Sequence, residues 1–377
     1  MNRRIYFDNA ATTSLDPVVL EAMMPYFTEK FGNASSIHSY GREARMAVEQ
    51  ARKQLAGYLN VKPGELFFTG GGTESTATVI QGCVRDLGVT RIITSPIEHH
   101  ATLHNAEFMQ ALGKVELQYV RLNELGHVDL QHLAELLHAK SQTTLVTLMH
   151  ANNEIGNITD IVEVGELCEK YGAYFHSDTV QTMAHFYLDL PKTKTHFVSA
   201  SAHKFHGPKG SGLMYIRNDV QLKPLLVGGG QERNMRAGTE NTAGIVGFAK
   251  AFERSMQHHE EDAVFIRSLK EAMAEKLLQS VPDIRFHGDI GERSLYTVLN
   301  VGFPKTDRSE VLSMNLDIAG ICVSGGSACS SGAQGGSHVI QALYPDQPIV
   351  PVRFSFSKHN TFEEVDGVVS KISELLN

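Results

Sequence analysis

The chain is 377 residues long, 42% hydrophobic and 20% charged, with 34 basic against 42 acidic residues for a net charge of −8. That length exceeds one small core and points to two domains, while a net acidic chain with no basic block argues against nucleic acid as a partner. No apolar run reaches membrane-spanning length, the opening MNRRIYFDNAATT has no signal-peptide core, and Cys83, Cys168, Cys322 and Cys329 are too scattered for a disulfide framework; a cytoplasmic protein with no membrane association is expected.

Taken in chain order, Asp16-Pro17 is an N-cap followed by a first-turn proline and predicts a helix running to about residue 30. Ala44, Ala47, Val48, Ala51 and Leu55 recur at helical spacing. Short strand patterns follow at 66–69, 91–95, 117–120, 144–149, 173–177, 197–199 and 212–216, most of them separated by helix-length segments such as 160–171. This alternation predicts an α/β domain with a mostly parallel central sheet flanked by helices. Around residue 255 the texture changes: 256–279 reads as one long charged amphipathic helix, then strands at 297–301, 320–323 and 353–357 and a closing helix from Glu363. The expected division is a large domain over 14–255 and a smaller α+β domain made of 1–13 and 256–377.

Ligands of open α/β sheets sit at the carboxyl ends of the strands. After 66–69 comes Gly70-Gly71-Gly72-Thr73-Glu74, a glycine turn feeding a helix, whose N–H groups and Thr73 hydroxyl suit a phosphate. Other strand ends carry Glu98-His99-His100, Asn152-Asn153-Glu154, Asp178 with Gln181, and Ser201-Ala202-His203-Lys204. Each has a bland reading: most glycine turns are only turns, most aspartates after strands are caps, and most lysines are solvated. Together, a phosphate site, an aspartate, a stackable imidazole, an amide and a lysine are what pyridoxal phosphate requires, the lysine bonding its aldehyde and the aspartate keeping its pyridine nitrogen protonated. Metal is not expected: His100 and His104 are four apart and His203 and His206 three apart, but there is no HExxH and His203 flanks the lysine the cofactor needs.

These residues lie in motifs that run nearly end to end: IYFDNAATT at 5–13, GNASSIHSYG at 32–41, TGGGTES at 69–75, HANNEIG at 150–156, HSDTVQ at 176–181, SAHKFHGPKGSG at 201–212, GGGQERNMRAGTEN at 228–241 and VSGGSACSSG at 323–332. In them the sequence resembles the cysteine desulfurases, the NifS/IscS-like group in the class V aminotransferase branch of fold-type I pyridoxal-phosphate enzymes. The resemblance implies Lys204 as the cofactor lysine, His99 as the ring-stacking acid/base and Cys329 as the sulfur acceptor. It implies Asp178 at the pyridine nitrogen, Gln181 and Asn153 at the phenolic oxygen, and Gly72, Thr73, Ser201 and His203 at the phosphate. Asn33 and Arg353 would hold the substrate carboxylate, and Thr239 would reach the cofactor of the neighbouring subunit, making a homodimer with shared sites. L-cysteine is the implied substrate, L-alanine the product, and an iron–sulfur scaffold or thiolation relay the sulfur-accepting partner. Local departures occur at Ser357-Lys358-His359, where Gly-Arg is usual.

The segment around Cys329, Gly325 to Ser337, is GGSACSSGAQGGS, nine of thirteen residues being Gly or Ser. Such a tether is a flexible coil, and it lets one thiolate attack a bound sulfur and then carry it out as a persulfide. A transaminase needs no such thiol; a selenocysteine lyase would use the same residues; a silent interaction subunit would have no use for Lys204, Asp178, His99 and Arg353.

Overall fold

A computed structural model describes residues 4–139, 142–325, 336–345 and 347–376. Its strands are β1 (Ile5–Tyr6), β2 (Leu66–Thr69), β3 (Arg91–Thr94), β4 (Glu116–Tyr119), β5 (Thr144–Thr147), β6 (Tyr174–Asp178), β7 (Phe197–Ser201), β8 (Gly212–Ile216), β9 (Arg285–Phe286), β10 (Val298–Pro304), β11 (Ile321–Cys322) and β12 (Ile349–Ser355). Seven of them form one sheet in the order β2-β8-β7-β6-β5-β3-β4. All of its pairings are parallel except the two made by β8, which runs against both β7 and β2. The carboxyl ends of β2, β3, β5, β6 and β7 therefore share one edge.

Every residue of β3, β5, β7 and β8 is buried, as a sheet covered on both faces demands. Alternate side chains feed two cores. Ile93, Val146, Phe175 and Val198 pack with the helices Ser39–Tyr58, Ile161–Tyr171 and Thr242–Gln257, while Ile92, Leu145, Phe197 and Met214 pack with Gly72–Asp86 and His100–Ala111. A separate core holds the antiparallel sheet β12-β10-β9 against the helices His259–Ser280 and Phe362–Leu376, and it draws in Phe7 from the far end of the chain.

Three expectations change. The helix from Asp16 breaks into Pro17–Met23 and Pro25–Thr28, because Pro25 has no N–H to continue the ladder. The long helix expected over 256–279 starts only at His259: Met256 and Gln257 close the preceding helix, and His258, at φ −117° and ψ 12°, is the break between them. The two-residue strands β1 and β9 were not expected; they are too short to show alternation.

Strand β2 ends the sheet, and side chains complete its open edge. Arg52 Nη1 donates to Leu66 O at 2.7 Å, and Glu232 Oε2 accepts the Phe68 N–H at 2.8 Å. Arg52 and Glu232 also pair bidentately, both contacts at 2.9 Å, with both side chains buried. The pair pins Glu232, Arg233 and Asn234, three successive non-glycine residues at φ 43°, 56° and 65°, a left-handed run that needs such an anchor. Glu232→Ala leaves a buried guanidinium without its counter-charge and should cost about 3–5 kcal/mol of unfolding free energy, measured by urea denaturation; a loss under about 1 kcal/mol would show that the pair is not the anchor.

Candidate active site

The sheet's carboxyl edge opens into a cleft of about 820 Å³, within the range of small-molecule sites. One wall is the turn after β2. Gly71 there has φ +154°, and the chain closes on it so tightly that a Cβ on Gly212 would lie 2.5 Å from the Gly71 Cα. A Cβ on Gly72 would lie 2.6 Å from Val180 Cγ2. Gly72 opens a 15-residue helix, whose first N–H groups have no partner inside the helix and carry its positive dipole end. Thr73, Ser201 and His203 line the same part of the cleft. Two ion pairs hold the turn: the Arg52–Glu232 pair on β2, and Arg236 on Glu74, whose Oε2 also accepts the Gly70 N–H at 2.8 Å.

Lys204 projects from a short 3-10 turn directly after β7, and its Nζ donates to the carbonyls of Ala10 and Ala11 at 2.6 and 2.9 Å. Gln181 Nε2 donates to the same Ala10 carbonyl at 3.0 Å. Asp178 ends β6 with its Oδ1 accepting the Val180 N–H at 2.9 Å. Burial pushes its carboxyl up to about 6, against the lowering effects of that N–H and of Lys204. Glu98, buried nearby, is driven well above the carboxylate range by burial, although its Oε1 accepts the Met149 N–H at 2.9 Å.

His99 caps the helix His100–Ala111, its Nδ1 accepting the Ala101 N–H at 3.0 Å. That bond puts the proton of the neutral ring on Nε2. Burial, then the Lys204 charge and the neighbouring imidazoles, push its pKa down to about 4. His100 stacks between His104 and His338, with ring centroids 4.7 and 4.4 Å away. Among the described residues no three His, Cys, Asp or Glu side chains converge as metal ligands. His203 and His206 go separate ways, to Thr12 Oγ1 and Ser14 O.

The cleft thus brings together Gly72, Thr73, His99, Asn153, Asp178, Gln181, Ser201, His203, Lys204 and Arg353. Asn33 and Thr239 are exposed and are not among its lining residues. Cys329 lies outside the described residues. Several lining residues escaped sequence reasoning: Ala10 and Ala11 act through backbone carbonyls, which no side-chain motif reports, and His338 arrives by long-range packing, beside Ser337, which donates to Glu154 Oε2. His259 turns inward: its Nε2 donates to His185 O at 2.8 Å and it lines a small cavity behind Lys204.

These groups fit pyridoxal phosphate on the structure's own terms. A buried carboxylate with a raised pKa awaits a cationic N–H, a helix N-terminus flanked by hydroxyls awaits a phosphate, and an amine and an imidazole face the space between. The fold and site define an α/β enzyme of the fold-type I pyridoxal-phosphate class.

Comparison with known proteins narrows this. The family model described as aminotransferase class-V matches residues 5–368. A cysteine desulfurase IscS of Dictyoglomus turgidum is 38% identical, over all of this chain and 95% of the relative. A solved structure named as a NifS-like protein superposes with a TM-score of 0.91 at 38% identity, over 99% of both chains. Another, described as SspA in complex with cysteine, gives 0.81 at 29% identity over 95% of this chain and all of its own. The chain belongs to the class-V aminotransferase family, in its cysteine desulfurase branch. Its cofactor is pyridoxal phosphate.

The Asp178 shift has a testable sign. The folded carboxyl keeps its proton to about pH 6 while an unfolded one releases it near 3.8, so between those values this group makes stability fall as pH rises. In the cofactor-free protein Asp178→Asn should therefore be the more stable form at pH 8, by up to about 3 kcal/mol, with the gap closing toward pH 4. Depressed histidines such as His99, His176 and His203 slope the other way, so the quantity to measure is the difference between the two proteins in denaturant titrations. Loading pyridoxal phosphate should reverse their order; a gap that ignores pH would contradict the assignment.

Proposed function

We propose that the protein takes the sulfur from L-cysteine, releases L-alanine and leaves the sulfur as a persulfide on Cys329, from which a second protein collects it. The observation that carries this reading is one cleft holding Lys204, Asp178 and His99 around a helix N-terminus, with the buried guanidinium of Arg353 beside them. When bound, pyridoxal phosphate supplies an electron sink for the substrate carbons. Lys204 is its covalent anchor, Asp178 holds the proton on its ring nitrogen, and Gln181 and Asn153 serve its phenolic oxygen. Thr73, Ser201, His203 and the Gly72 N–H serve its phosphate.

His99 would stack on the cofactor ring, and with Nδ1 taken by the Ala101 N–H its proton sits on Nε2, the atom left to pass a proton to or from the substrate. Arg353 takes the substrate carboxylate, a role that suits its planar fork. The Cys329 thiolate attacks the substrate sulfur: an S–S bond forms, the C–S bond breaks, and the substrate carbon ends with the thiol's proton equivalent as L-alanine. Three other thiols are poor candidates for that step. Burial raises the pKa of Cys83, Cys168 and Cys322, and a thiol that stays protonated is a weak nucleophile.

A homodimer follows from the same reading. Asn33 and Thr239 are exposed, outside the cleft of their own chain, and Leu20, Met24, Phe27, Phe31, Ile37 and Tyr40 form an exposed apolar run around Asn33. A second copy would cover that run and bring Thr239 to its neighbour's phosphate. No helix among the described residues is long and apolar enough to cross a membrane, and the acceptor protein, an iron–sulfur scaffold or thiolation relay, is met in the cytoplasm.

The test is alanine released from L-cysteine by the cofactor-loaded protein, with matching sulfide or persulfide. Lys204→Ala should abolish turnover and shift the bound cofactor's absorbance, and an unshifted band would remove Lys204 from its role. Cys329→Ser should keep the wild-type absorbance and form no persulfide; sulfur release at the wild-type rate would mean that another residue is the acceptor.

A further inference from the structure

Arg353 on β12 is 1% exposed, yet it lines the cleft. Its Nη1 donates to the Asn153 carbonyl at 2.9 Å and its Nη2 to Asp8 Oδ1 at 2.8 Å. Its Nε is buried with no acceptor among the described residues. A guanidinium has five N–H donors, so these two bonds leave donors for an incoming carboxylate while the charge is already matched. Asp8 is held in place by backbone. It bridges Ser355, the Ser355 N–H bonds Phe7 O at 2.7 Å, and the Asn9 side chain donates to Ser355 O at 2.9 Å.

We propose that Asp8 is a resident counter-charge that weakens the grip of Arg353 on the α-carboxylate of substrate and product alike, and so sets how tightly both are held. The inference rests on the reading of Arg353 as the carboxylate grip. Before a ligand arrives, Asp8 spares the fold an unmatched buried guanidinium. The ligand's carboxylate then meets a neutral pair and brings a second negative charge to the same fork. L-cysteine and L-alanine carry the same carboxylate, so the weakening is uniform: it acts on binding and leaves the chemical step alone. Asp8 touches neither the substrate nor the reacting atoms; it is a positioning residue acting through Arg353.

The test uses the cofactor-loaded protein and Asp8→Asn, which keeps an acceptor for Nη2 and loses the charge. Propionate, a carboxylate with no amine, reports the grip by calorimetry, and L-alanine reports it through the bound cofactor's absorbance. Both should bind about tenfold tighter to the variant, which corresponds to ~1.4 kcal/mol, and the change with L-cysteine should fall on KM rather than kcat. A merely structural role for Asp8 would loosen binding, not tighten it; equal or weaker propionate binding overturns the proposal. Asp8→Ser carries the same expectation should Asp8→Asn fail to fold, and Asp8→Glu should restore the weaker binding. Arg353→Gln run alongside separates the two ideas. Unchanged propionate binding there would mean Arg353 is not the grip, whereas weakened binding there without tightening in Asp8→Asn would remove Asp8 alone.

Discussion

The N-terminal segment from Phe7 to Thr13 lies between the two halves of the molecule and is held by both. Phe7 is buried in the core of β10 and β12, Ser355 Oγ accepts the Ala10 N–H, and Asn360 donates to Tyr6 O. From the other side Lys204 and Gln181 donate to the Ala10 carbonyl, and Thr13 bonds the His203 carbonyl and the His206 N–H. Backbone polar groups buried in a seam must find partners, and here they are shared between Cys322 and Ser355 on one side and Gln181, His203 and Lys204 on the other. The seven-stranded sheet therefore does not complete the site alone: the wall behind Lys204 belongs to residues that reach it from the opposite core.

The site's electrostatics follow from burial without full pairing. Asp178, Glu98, His99 and His203 are all pushed toward their neutral forms, chiefly by desolvation. Behind them runs a closed chain of buried hydrogen bonds: His176 joins Thr147 Oγ1 at 2.8 Å to Ser199 Oγ at 2.9 Å, and Thr76 donates to Ser199 at 3.1 Å. The contrast marks where chemistry happens. The His176 network behind the cleft pairs its polar atoms with one another, while the front keeps donors and a carboxylate, Asp178, that burial holds toward its neutral form. Asp8 and Arg353 show the other solution, in which the protein supplies the countercharge itself.

The local features were legible because they need only neighbours in sequence. A glycine turn after an apolar strand, a lysine after another and an aspartate after a third are strand-end signals, and the resemblance spread over eight motifs tied them to one chemistry. Pro25 broke its helix for a reason visible in the residue itself. His258 did not announce its break, since histidine is compatible with helix; the turn there is set by how His259 packs on His185 and Tyr187. Strands β1 and β9 are two residues each, and pairing alone defines them.

By itself the sequence determined the alternating α/β order, the glycine turn after β2, the residue types at the strand ends and the place of a cysteine in a Gly/Ser segment, because each is written in residue types at short spacing. Only the tertiary structure decided that Arg353 meets Asp8 across 345 positions, that Arg52 and Glu232 close the edge of β2 across 180, and that Asn33 and Thr239 fall outside their own chain's cleft. The physical reason is that a charge buried away from water must be matched by whatever the fold carries to it, and periodicity says which face is buried without saying what it will meet.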